Sequence, residues 1–327
     1  MNGRSEDVQW QLEATTVDGT LRTPPGPGPF PAVVMVAGSG PTDRDWNSPL
    51  LPGANGSARL IAEELADAGF ASLRYDKRGT GPRARENMRH LVGRVNMQSF
   101  ADELGGGVRL LAGRPDIRAG RIFGLGNSEG TLHVLHYQLE KPPLPLAGMV
   151  LTGPPGRTVG DVARAQLAAQ AAGVPGADAL MALYDAAIGR FLAAEPIAPD
   201  SALPEGVQAL LKSLEAPANL PFARELWTAD ATSLLDAIDV PVLIVIGKKD
   251  IQVDWQADGQ LISRAIEGRP HITAVFPDDA NHLLKYEPQD RSRLVAADVG
   301  ARYNAAGGRL DAATVETIVQ WLAARAG

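Results

Sequence analysis

Apolar positions recur at two periods along this chain, and the change from one to the other marks its elements. Val8, Trp10 and Leu12 alternate with polar residues, the period of a half-buried strand. Asp18-Gly19 is expected to turn that strand into an antiparallel partner ending near Leu21. The Pro/Gly run over 23–29 interrupts regular structure. Residues 32–37 are apolar without alternation, as a central strand covered on both faces should be. A helix is expected over 53–69, with Asn55 or Ser57 as cap and Leu60, Ile61, Leu65 and Ala68 as its buried stripe. Residues 70–75 read as the next strand. The basic stretch 83–94 shows no period and is expected to be a surface loop. A helix capped by Ser99 should run to Ala112, with Asp102 and Glu103 in its first turn.

Further apolar runs at 122–125, 146–152, 240–247 and 271–276 read as strands, and 312–324 as a terminal amphipathic helix. Between 154 and 236 the strands stop. Helical pattern takes over at 159–172, 177–194, 202–214 and 221–227, punctuated by Pro and Gly. Strand–helix alternation predicts an α/β fold with a mostly parallel central sheet and helices on both faces. The helical block reads as a cap inserted between two sheet strands. The expected division is 1–153 and 237–327 as the two parts of one core, and 154–236 as the cap.

Composition narrows the function classes. A chain of 327 residues, 45% hydrophobic and 21% charged, can bury a large core. A formal net charge of -7 supplies no basic field for nucleic acid or an anionic membrane. No cysteine is present, which excludes disulfides, thiolate metal sites and a cysteine nucleophile. No segment approaches the ~18 apolar residues of a membrane span, and residues 1–7 lack a signal-peptide apolar core. A soluble, cytoplasmic protein is expected.

The chemistry centres on Gly126-Asn127-Ser128-Glu129-Gly130. An apolar run precedes it and helical pattern follows, the strand–turn–helix setting in which G-x-S-x-G holds an exposed serine nucleophile. Such a serine needs a base with a pKa near neutrality, which points to His. Of His90, His133, His136, His271 and His282, His133 and His136 lie a turn into the following helix and lead away from the serine. His271 opens a strand, and His90 sits in the basic stretch. His282 follows the last strand on a loop at the sheet's C-terminal edge and is the expected base. Asp250 follows the 240–247 strand and is the expected acid, with Asp254 in reserve. The order Ser, Asp, His is the one expected for this elbow. Residues 38–45 read either as an ordinary strand-to-loop turn or as an oxyanion loop in which Ser39 offers its N–H. The charged turn 76–81 reads as ion pairs that fix loop geometry near the site.

These segments carry a resemblance. Gly38-Ser39-Gly40-Pro41-Thr42-Asp43-Arg44-Asp45, Tyr75-Asp76-Lys77-Arg78-Gly79, Gly126-Asn127-Ser128-Glu129-Gly130, Gly247-Lys248-Lys249-Asp250-Ile251-Gln252-Val253 and Asn281-His282 resemble, in order, the α/β-hydrolases. Within them the chain is most similar to a bacterial carboxylesterase-like group related to the serine aminopeptidase and dienelactone hydrolase families. The resemblance implies Ser128 as nucleophile, His282 as base, Asp250 as acid, and backbone donors at Ser39 and Glu129. Where many relatives have His-Gly, this chain has Ala37-Gly38, which keeps Gly40 in play beside Ser39.

The expected reaction is hydrolysis of a small-molecule carboxylic ester through an acyl-enzyme, without metal or organic cofactor. A peptidase or amidase on the same residues is the first rival, and would need carboxylates such as Glu195, Glu205 or Glu225 to hold an ammonium. A non-catalytic binding protein on this fold is the second. Phe222 and Trp227 near the end of the cap fit either an apolar substrate portion or helix packing.

Overall fold

The computed structural model describes residues 3–295, 302–305 and 307–327. Eight strands form one sheet in the order β1-β2-β4-β3-β5-β6-β7-β8. They are β1 (Arg4–Leu12), β2 (Thr15–Thr23), β3 (Phe30–Val36), β4 (Ala71–Tyr75), β5 (Ile117–Asn127), β6 (Met149–Thr152), β7 (Val242–Val245) and β8 (Ile272–Val275). β1, β2 and β4 pair antiparallel, and every pairing from β4 to β8 is parallel. This is the mostly parallel sheet that the alternation predicts.

Residues 32–36 of β3 are wholly buried, because their two faces enter different cores. Val34 and Val36 pack with Leu104 and Val108 of α3 (Met97–Ala112) and Leu132 and Leu135 of α4 (Glu129–Leu139). Val33 and Met35 pack with Ile61 and Leu65 of α1 (Ser57–Asp67) and with Ile318 and Leu322 of the terminal helix, Ala312–Ala326.

Several expected boundaries move. The hairpin turns at Glu13-Ala14, where Glu13 has φ 52°, and not at Asp18-Gly19. Thr15, Val17, Gly19 and Leu21 all face inward, so the two-residue period runs unbroken through the pair that looked like a turn. Residues 83–94 contain α2 (Ala84–Leu91) where a loop was expected. Its inner face is Asn87 and Leu91, one helical turn apart. Asn87 exchanges hydrogen bonds with the Thr16 backbone and reaches Arg78 O, so a polar anchor hides the helical period. α3 starts three residues early. Asn96 is its cap, and Ser99, the third residue of the helix, closes a reciprocal capping box with it. α1 is capped by Gly56, while Asn55 accepts from Ser57 N.

Between β6 and β7, which pair directly, lie α5 (Val159–Ala171), α6 (Ala177–Leu192), α7 (Glu205–Leu214), α8 (Phe222–Trp227) and α9 (Ala231–Leu235). α6–α8 share a separate apolar cluster with Tyr184, Phe191, Leu211 and Trp227. α10 (Ala257–Ala265), between β7 and β8, has no counterpart in the expected elements, and the terminal helix is α11.

Candidate active site

Ser128 sits between β5 and α4 with φ 54° and ψ −125°, a combination that strains a residue with a side chain. The turn is held from both ends. Ser128 N donates to Thr152 O at 2.8 Å, and Ser128 O accepts from Thr131 N at 3.0 Å. The flanking glycines are sterically required. A Cβ on Gly126 would lie 2.5 Å from Gly130 O, and one on Gly130 would lie 2.5 Å from Val36 O. The helix therefore starts against the backbone of β3, as the sequence pattern implies.

Asp250 and His282 meet. His282 Nδ1 donates to Asp250 Oδ2 at 2.7 Å, with the side chains only 4% and 1% exposed. Asp250 Oδ1 accepts from the N–H groups of Gln252 and Val253 at 2.8 and 3.0 Å, so the carboxylate is fixed by its own loop. With the proton on Nδ1, Nε2 of the neutral ring is the acceptor. Asn281 shapes the loop that carries His282: its Oδ1 accepts from Leu283 N and Lys285 N.

The elbow and the His loop are tied together. Asn127 Nδ2 donates to His282 O at 3.0 Å and to Thr152 Oγ1 at 3.2 Å. At the end of β6, the Cβ direction of Gly153 points to within 3.0 Å of His282 Cε1. Ser128, Asp250 and His282 thus follow β5, β7 and β8 at the C-terminal edge of the sheet, where an open α/β sheet presents its ligand-facing groups.

Ser39, expected as an oxyanion donor, follows β3 by three residues. The Cβ direction of its neighbour Gly38 points to within 3.1 Å of Ser128 Cβ, which brings this loop against the serine. Glu129, expected to offer its N–H, opens α4. Its side chain is buried between Lys77 Nζ at 3.3 Å and His133 Nε2 at 3.1 Å. Burial alone would raise the Glu129 pKa, but the Lys77 charge, the His133 hydrogen bond and the Ser39 hydroxyl outweigh it and hold it at about 2. Burial pushes His133 the other way, below its ordinary value of 6.5, against the pull of Glu129. Glu129 is therefore an anion beside a neutral His133, which donates through Nε2.

The charged turn after β4 is a set of ion pairs in which Asp76, Lys77 and Arg78 are themselves buried. Asp76 binds Arg44 at 2.7 Å, Lys77 binds Glu129, and Arg78 binds Glu103 at 2.9 Å. Lys77 also donates to Gly38 O at 2.6 Å. The sequence assigns no individual role to Asn127 or Lys77, and sets His133 aside as a base; the structure gives His133 a place as the partner of Glu129. The four-residue spacing of Glu129 and His133 on one helix face was the legible signal.

The alternatives lie elsewhere. Asp254 accepts from Gln256 N and Ala257 N at the start of α10 and pairs with Arg291 at 2.8 Å. His271 binds Ile238 O before β8, at the opposite edge of the sheet. His90 is exposed on α2, and His136 faces Glu140 at 3.9 Å. Glu225 caps α3 by accepting from Met97 N at 2.6 Å, while Glu195 and Glu205 are exposed. Trp227 packs edge-on against Phe191 with centroids 6.4 Å apart, and Phe222 packs on Phe100 at 4.5 Å. Among the described residues, no helix is long and apolar enough to cross a membrane.

Comparison with known proteins agrees with this architecture. The family described as "Alpha/beta hydrolase family" matches residues 33–297. Esterase EstD of Thermotoga maritima is 29% identical over 267 residues, covering 81% of this chain, and the chain spans 57% of that relative's length. An esterase structure from Pyrococcus furiosus superposes with a TM-score of 0.57 at 17% identity, covering 99% of this chain and 92% of the other. Proline iminopeptidase of Mycobacterium smegmatis superposes at 0.56 with 15% identity over 98% of both chains, and likenesses at these identities speak to the fold. With its sheet order, its strained serine turn and a family match over most of its length, the chain belongs to the alpha/beta hydrolase family.

Proposed function

We propose that this chain is a serine hydrolase that cleaves carboxylic esters of small molecules. Ser128 attacks the ester carbonyl while His282 Nε2 takes its proton. Asp250 holds the Nδ1–H tautomer and stabilises the imidazolium that forms. The N–H groups of Ser39 and Glu129 meet the tetrahedral oxyanion, each donor worth roughly 3 kcal/mol on removal. The alcohol leaves with the proton from His282, and water hydrolyses the acyl-enzyme. This chemistry requires no metal or organic cofactor. Residues 154–236 act as the cap of a core formed by 1–153 and 237–327. α5 reaches the Asp250 loop, with Gln166 Nε2 donating to Gln252 O at 2.9 Å. A cytoplasmic setting fits the reading.

The observation that carries the proposal is the buried His282–Asp250 hydrogen bond of 2.7 Å on the loop that Asn127, the neighbour of Ser128, also grips. The likeness to an esterase in sequence favours esters, and the commitment of Glu225 to α3 removes one carboxylate that an aminopeptidase would need. Turnover of p-nitrophenyl acetate and of an aminoacyl-p-nitroanilide, each with wild type and Ser128→Ala, tests the reading. Ester turnover that vanishes in Ser128→Ala is expected. Anilide turnover without ester turnover would move the enzyme to the peptidases.

A further inference from the structure

Lys77 is a buried ammonium that the acyl-transfer scheme does not use. It follows β4 by two residues, with its side chain 5% exposed. Its donors reach two acceptors: Gly38 O at 2.6 Å and Glu129 Oε1 at 3.3 Å. Phe100 lies 5.8 Å from Nζ and stacks on His133 at 4.2 Å, closing the apolar side of the cluster. Neutralising Glu129 would need only a charge nearby. The short bond to Gly38 O is an additional contact, and it falls on a particular peptide unit.

Gly38 C=O and Ser39 N–H belong to the same planar unit, in which they point in opposite directions. Fixing the carbonyl therefore fixes the direction of the N–H. A cation on the carbonyl also polarises the unit and strengthens its N–H as a donor. The second acceptor, Glu129, carries the other proposed oxyanion N–H on its own backbone. We propose that Lys77 is a positioning residue for the oxyanion hole, one ammonium that couples its two donors, Ser39 through the Gly38 carbonyl and Glu129 through its carboxylate. His133 holds the same carboxylate from the next turn of α4, and Phe222 of α8 packs on Phe100, so the cap abuts this support. The inference rests on the acyl-transfer reading above.

Removing Lys77 alone would strand a buried carboxylate, a strongly destabilising change. The informative comparison is Glu129→Gln against Lys77→Met/Glu129→Gln, in which the second change deletes the bond to Gly38 O with no stranded anion. Each is measured as folded protein for kcat and KM on p-nitrophenyl acetate, and for Ki of an alkyl trifluoromethyl ketone whose adduct with a serine carries the oxyanion. The double variant is expected to lose roughly 100-fold in kcat relative to Glu129→Gln. KM should stay within about threefold and Ki should rise in parallel with the fall in kcat. A merely structural lysine would lower the melting temperature and leave kcat and Ki of the folded fraction unchanged, which overturns the inference. If the double variant does not fold, Lys77→Arg takes its place. The guanidinium keeps the charge for Glu129, but its length and planarity displace the donor from Gly38 O. The same loss is expected, and an unchanged kcat overturns the inference. Ser128→Ala separates the two levels: surviving turnover overturns the acyl-transfer reading and the inference together, whereas abolished turnover with unaffected Lys77 variants overturns the inference alone.

Discussion

His282 Nδ1 and Asp250 Oδ2 lie 2.7 Å apart inside a pocket of backbone N–H groups, from which Gln252 and Val253 bind the other carboxylate oxygen. Four residues on, Asp254 has the same charge and a different occupation, at the start of α10 and on Arg291. The two aspartates therefore make opposite predictions. Asp250→Asn removes the anion that fixes the imidazole tautomer, and kcat should fall by ~10⁴. Asp254→Ala should cost ~1 kcal/mol of stability through the helix start and leave kcat nearly unchanged. Steady-state kinetics on both, with thermal melts, checks the pair. A reversed pattern would transfer the acid role to Asp254.

Asn127 connects the serine turn to the His loop. Asn127→Ala leaves His282 O without its side-chain donor, at a cost of about 1–3 kcal/mol for a buried acceptor. Stability and kcat should fall together, because the lost bond holds both the fold and the position of the ring. Urea denaturation and ester kinetics on the one variant measure both. Lowered stability with an unaltered kcat would confine Asn127 to a structural role.

Glu129 makes the acid limb of stability predictable in sign. Its folded pKa of about 2 lies below the ordinary 4.5, so between those values the unfolded chain binds a proton that the folded chain does not. The contribution is present above pH 4.5 and is lost as pH falls toward 2. His133, depressed below 6.5, acts in the same direction: the unfolded chain takes up its proton first, and stability declines as pH drops below 6.5. Glu129→Gln should flatten the pH dependence between 4.5 and 2 in urea unfolding experiments. Superimposable acid limbs for variant and wild type would contradict the buried pair.

The strands and the order of the three expected site residues were legible because each rests on a strong local pattern. An unbroken apolar run announces a parallel strand, and Gly126 and Gly130 are required by contacts that admit no Cβ. The hairpin turn was not legible, because Asp18-Gly19 has turn chemistry while Glu13-Ala14 has none, and only the inward alternation of Thr15 through Leu21 decides between them. α2 was hidden by an inner face anchored on Asn87. α10 is short, with Asp258, Gly259 and Ile262 as its buried residues, and one apolar side chain makes no stripe. Ion pairing in the 76–81 turn was readable from composition, but its partners were not. Lys77 and Glu129 are 52 residues apart, and only the sheet order brings them together.

The most direct test of the central claim is covalent capture. Incubation with a fluorophosphonate, followed by proteolysis and mass spectrometry, should show one adduct per chain, on the peptide containing Ser128. Labelling should be lost in Ser128→Ala and strongly slowed in an His282 variant such as His282→Gln. Labelling at another residue, or no labelling of a folded protein that still hydrolyses p-nitrophenyl acetate, would contradict Ser128 as the nucleophile.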